Sequence, residues 1–176
     1  ATGAAGDMGS SGDGGAVHFT GDGTVTNCNF TGNTATGDDG GAVHFTGDGT
    51  VSNCTFVGNT AGRSGGGAVY FSDAGIVTNC NFTNNKATGG SIYGGAIWIY
   101  SGTVSNCNFT DNTASNNGGA VYFLDTGNVT NCNFTNNTAT SQGGAIRFSL
   151  LGTVTNCNFA DNSASSGGAI FSRLWY

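Results

Sequence analysis

The side chains able to do chemistry are few and unevenly spread. Among 176 residues there are two histidines, six cysteines and ten acidic residues, all aspartate, against four cations: Arg63, Lys86, Arg147 and Arg173. Acid–base catalysis needs carboxylates and cations converging in a cleft. Here Asp22, Asp48, Asp73 and Asp125 each follow the same strand-like segment, and Asp38, Asp39, Asp111 and Asp161 fall near other corners. With the cations isolated as well, no enzymatic site is expected. His18 and His44 are the only imidazoles, with no evident third ligand, and no Cys-x-x-Cys pair occurs, so neither metal nor cofactor is expected. A net charge of −6 carried with four cations argues against nucleic acid and anionic membrane surfaces. No apolar run reaches the roughly 18 residues of a membrane helix.

What positions these residues is a repeat. Gly-Gly-Ala-Val/Ile begins at Gly14, Gly40, Gly66, Gly94, Gly118, Gly143 and Gly167, in steps of 24 to 28 residues. Between copies runs Val-Thr/Ser-Asn-Cys-Asn/Thr-Phe-x-x-Asn, which carries Cys28, Cys54, Cys80, Cys107, Cys132 and Cys157. Gly, Thr, Asn and Ser make up just over half the chain and Pro is absent, poor material for helices. The polar low complexity suggests disorder, but the apolar residues recur in register, and a period of this size signals a solenoid. The local period is two. Val17 and Phe19 share one side, with Ala16, His18 and Thr20 opposite. Val25, Cys28 and Phe30 point inward across a bend at Asn27, and Ala35 does so in Thr34-Ala35-Thr36. Three short strands per coil make an all-β, right-handed parallel β-helix of about seven coils of 24–28 residues. Stacked at about 4.8 Å, it forms a rod of roughly 34 Å. Residues 1–13 read as a partial coil or cap, 14–166 as six coils, and 167–176 as a final partial coil.

Stacking turns each repeat position into a column. Asn33, Asn59, Asn85, Asn112, Asn137 and Asn162 form a structural amide ladder. The six cysteines form an inward column, either of free core-filling thiols or of adjacent-coil bridges such as Cys28–Cys54. These motifs, GGA(V/I) followed by FxxN, resemble the repeats of chlamydial polymorphic outer membrane proteins. They are also similar to adhesin-like surface proteins of methanogens, where NCxFxxN and GGA recur. The likeness spans residues 14–171 and implies cell-surface display and adhesion. Ala1 in place of an initiator methionine is compatible with signal cleavage and secretion. Asn-x-Thr sequons such as Asn29, Asn81, Asn108 and Asn133 arise from the repeat itself, and glycans one coil apart would collide.

Three surfaces are candidates for contact. An outward column of His18, His44, Tyr70, Trp98, Tyr122 and Arg147, with Tyr100 beside it, is expected to be exposed and to bind glycan or a cell-surface protein. Uncovered ends are expected to stack copies head to tail through Ile170, Phe171, Leu174, Trp175 and Tyr176, giving a filament with the chain as its own partner. The alternative is an ice-binding face of paired threonine rows resembling those of β-solenoid antifreeze proteins. One row holds Thr24, Thr50, Thr103 and Thr153, and the other Thr26, Ser52, Thr78, Ser105, Thr130 and Thr155, with Ile76 and Asn128 interrupting the first. Together these features point to an extracellular, non-enzymatic structural or adhesive solenoid.

Overall fold

The corners explain the winding. The computed structural model describes residues 2–3, 14–89 and 93–173. Gly40 and its equivalents adopt positive φ, and a Cβ on Gly40 would lie 2.3 Å from the Val43 carbonyl oxygen. The second glycine is equally constrained: a Cβ on Gly41 would meet the Gly67 carbonyl oxygen at 2.1 Å. Asn27, Asn53, Asn79, Asn106, Asn131 and Asn156 form a second corner, all with φ between 53° and 56°, a left-handed conformation asparagine tolerates. This corner is sharper than the expected bend. It divides the segment into Gly23–Thr26 and Asn29–Thr31 and sends the halves to different sheets.

The result is a right-handed, all-β solenoid of about six turns. Three faces wrap one core. A 12-stranded sheet takes the segments exemplified by Val17–Phe19 and Gly23–Thr26, which fuse into single strands at Val69–Thr78 and Ile97–Ser105. A six-stranded sheet takes Asn29–Thr31 and its equivalents, and a five-stranded sheet takes Thr34–Ala35 and its equivalents. Pairing between windings is parallel and like-on-like, as in Val25↔Val51 and Phe82↔Phe109. Thr2–Gly3 instead pairs antiparallel against Gly23 and Thr24.

Inside, the columns are continuous. Phe30, Phe56, Phe82, Phe109, Phe134 and Phe159 stack with centroids 4.8–5.0 Å apart and planes within 8°. The alanines expected to flank the outward column are in fact core: Ala42, Ala68, Ala96, Ala120 and Ala145 are fully buried. The cause is a local break in alternation. The Ala42 carbonyl accepts from both Ala16 N–H and Val17 N–H, each at 2.9 Å, so two adjacent residues face inward, as in a bulge.

All six cysteines are free thiols, which selects the first of the two readings of this column. Cys54 Sγ–H donates to the Ser52 carbonyl at 3.0 Å, and Cys54 N–H donates to Cys80 Sγ at 3.4 Å. Hydrogen bonding to Cys80 and then burial push the Cys54 thiol above its ordinary range. Hydrogen bonding to Cys132 and Cys80, then burial, do the same for Cys107.

Candidate functional site

The outward side chains of the first strands run in exact register along the rod: His18, His44, Tyr70, Trp98, Tyr122, Arg147 and Phe171. The expected row is therefore present, but its exposure is not. His44, Trp98 and Arg147 are each 8% exposed and Tyr122 is 7% exposed, while His18 and Tyr70 are half-buried. Of the residues expected at this surface, Tyr100, in the neighbouring row, is open, at 41%.

Two features cover the row. The rings cover one another: His18–His44 centroids lie 4.8 Å apart, Tyr70–Trp98 4.3 Å and Trp98–Tyr122 6.2 Å. A flanking row then closes one side. Gly65, Tyr93, Asn117, Gln142 and Ser166 are bridged in sequence along the axis. Tyr93 stacks on Tyr122 at 4.6 Å, Gly65 leaves room for Trp98, and Gln142 Oε1 accepts from Arg147 Nε at 3.0 Å. The aromatic row therefore presents ring edges to solvent, and its π-faces are used internally. Much of the ring face in this row is turned toward its neighbours along the axis.

This flank has no periodic signature in the sequence. It occupies the segment before each Gly-Gly, whose length varies, so it shows no period. A signal exists all the same: each member is the residue immediately preceding the Gly-Gly pair.

Polar contacts fill the remaining positions. The His18 and His44 Nε2 atoms sit 3.1 Å and 3.2 Å from the Thr46 and Ser72 hydroxyls. Ser149 Oγ–H donates to Tyr122 Oη at 2.8 Å. Burial, reinforced by the Asp39 carboxylate, pushes the Tyr70 phenol up to about 12. Asp39 accepts the Ser64 N–H at 2.5 Å, and Asp38 pairs with Arg63 at 3.4 Å. Burial lowers the Arg147 guanidinium from its usual value, and its Cζ lies 4.9 Å over the Phe171 ring. Among the described residues no group of three or more His, Cys or Asp is placed to hold a metal ion.

The threonine rows are in the predicted register. Thr24, Thr50, Ile76, Thr103, Asn128 and Thr153 align, as do Thr26, Ser52, Thr78, Ser105, Thr130 and Thr155. Some hydroxyls bond along the row, with Thr26–Ser52 at 2.9 Å and Ser105 donating to Thr78 at 3.2 Å. Of the residues expected at the end-to-end contact, Ile170 and Phe171 are half-buried. Leu174, Trp175 and Tyr176 lie outside the described residues.

The family described as the right-handed beta helix region matches residues 7–153, most of the chain. The chain belongs to this family. The rest of the beta helix carries a second likeness: the Chlamydia polymorphic membrane protein repeat matches residues 156–173. That segment contains Asn156-Cys157-Asn158-Phe159 and Gly167-Gly168-Ala169-Ile170, the two motifs that carried the resemblance. No curated protein and no solved structure matched the chain. No helix among the described residues of this beta helix is long and apolar enough to cross a membrane.

Proposed function

We propose that this beta helix is a non-enzymatic structural and adhesive rod displayed outside the cell, and that copies extend it by stacking end to end. The observation that supports this is the state of the last described winding. Val154, Cys157 and Phe159 continue the core columns in register, yet each is half-exposed, whereas Val129, Cys132 and Phe134 one winding earlier are buried. The repeat resemblance at residues 156–173 supports a surface or outer-membrane-associated setting. The dispersion of the aspartates along the rod supports the absence of catalysis.

Electron microscopy and sedimentation of purified protein test the assembly. Rods should lengthen with concentration, and Phe159→Asp should abolish growth while leaving the sheet signature in circular dichroism. Monomeric rods at all concentrations would reject end-to-end stacking.

Ice binding is a second reading, favoured by the aligned Thr-x-Thr register on parallel strands. Thermal hysteresis from the monomer, lost on Thr103→Tyr, would support it over the filament. Its absence would remove it.

A further inference from the structure

The two ends of the described rod are not alike. Val25, Phe30 and Ala35 in the first described winding are buried, whereas Val154, Phe159 and Ala164, which hold the same repeat positions in the last, are half-exposed. The core is closed at one end and open at the other.

A backbone feature stands at the closed end. Thr2 pairs with Thr24 and Gly3 with Gly23, antiparallel, whereas Gly23–Thr26 pairs parallel with Gly49–Ser52 in the next winding. These neighbours use opposite sides of one strand. The Gly23 and Asn27 N–H groups donate to the Asp48 and Ser52 carbonyls in the next winding. By the alternation of a strand, the Thr24 and Thr26 N–H groups point the other way. Thr2 lies opposite Thr24 on that side.

A copy stacking here would need the same backbone groups. Among the described residues Gly152–Thr155 pairs only with Gly127–Thr130, so its far side is an open edge. Laid beside Gly23–Thr26 of a second copy, it would continue the like-on-like register over four residues. Val154 would then sit over Val25, and Phe159 over Phe30. The pairing now in place covers two residues, one of them glycine, which is a weak strand.

We infer that Thr2–Gly3 is a displaceable strap on the edge where copies join: it blocks end-to-end stacking until the last winding of a second copy takes its place beside Gly23–Thr26. This rests on the stacking reading above and adds a control to it. Rods lengthen by exchanging one strand for another, and a rod whose strap stays down ends there.

A reversible lock in the full-length chain tests it. Thr2→Cys with Thr24→Cys joins two directly opposed backbone positions, within the reach of a disulfide. Oxidised rods of this variant should not lengthen with concentration in electron microscopy, and reduced ones should. Thr2→Pro removes the donor facing Thr24. Its rods should lengthen with a lag at least about five-fold shorter than the parent's, and its Thr24 amide hydrogen should exchange at least about five-fold faster, the loss of one marginal closure. Locked rods that lengthen like the parent would overturn the proposal. So would an unchanged lag in Thr2→Pro, or equal Thr24 exchange in Thr2→Pro and the parent. Rods that stay single in every form, the reduced variant and Thr2→Pro included, would reject stacking itself and the strap's role with it.

Discussion

Asn85 Oδ1 accepts two hydrogen bonds from Asn59, one from the backbone N–H at 3.0 Å and one from the side-chain Nδ2–H at 2.9 Å. Asn85 Nδ2 in turn donates to the Phe56 carbonyl at 3.1 Å and to Asn112 Oδ1 at 3.0 Å. Every polar atom of this fully buried amide is therefore engaged. Asn85→Ala strands donors on Asn59 and an acceptor on Phe56, each costing about 1–3 kcal/mol when buried. Urea denaturation should show a loss of several kcal/mol. The exposed ladder residue Asn108, bonded to Asn81 at 2.9 Å, should cost under about 1 kcal/mol on the same change because water replaces the partner.

The phenylalanine stack should show a gradient along the rod. Phe82→Ala removes a ring stacked on both sides, at 4.8 Å and 4.9 Å, and should cost about 3–5 kcal/mol. Phe159→Ala, half-exposed in the last described winding, should cost clearly less in the same thermal or urea series. Equal losses would mean that the described end is as tightly covered as the middle.

Stability should fall in alkali through Tyr70. Its phenol is raised from 10.0 to about 12 by burial and then by Asp39. A raised folded value means the neutral form is preferred in the fold. The corresponding stability is whole below pH 10 and disappears as pH climbs from 10 toward 12. Comparing Tyr70→Phe with the parent over that window isolates this contribution from the cysteines, and the variant should decline less.

The thiol column should be silent in the native state. Cys54, Cys80, Cys107 and Cys132 are buried, so a reagent cannot reach their sulfurs even though hydrogen bonding from neighbouring thiols holds Cys80 and Cys132 below the ordinary thiol range. An aromatic disulfide reagent should leave these four unmodified in native protein and label all six in denaturant. Rapid native labelling of Cys80 or Cys107 would show that the column opens.

The alternation of Val, Cys, Phe and Ala revealed the winding because period-two burial is written directly in residue type, and the like-on-like register followed from the repeat. The alanine after Gly-Gly was misplaced because bifurcated bonding to one carbonyl breaks the alternation, and that bonding leaves no trace in composition. The exposure of Trp98 and Tyr122 was misread for another reason. A residue can face away from its own sheet and still be covered by Tyr93 or by the next ring up the axis, and neither neighbour is close in sequence. Arg147 belongs to the outward row by sequence, but the lack of an ion pair to it among the described residues is visible only in the structure.

The variable segment before each Gly-Gly confers a freedom the strands lack. The step from Gly66 to Gly94 is 28 residues and the next is 24, yet Lys86 still pairs with Thr60 below and Thr113 above. Most insertions and deletions are absorbed at that seam, the same seam that supplies Tyr93, Asn117 and Gln142 to the side wall, and a single residue is absorbed instead where the register shifts between Phe71 and Ala74. A lineage of such molecules can therefore diversify what it displays by lengthening or trimming a single edge, while its scaffold is inherited unaltered.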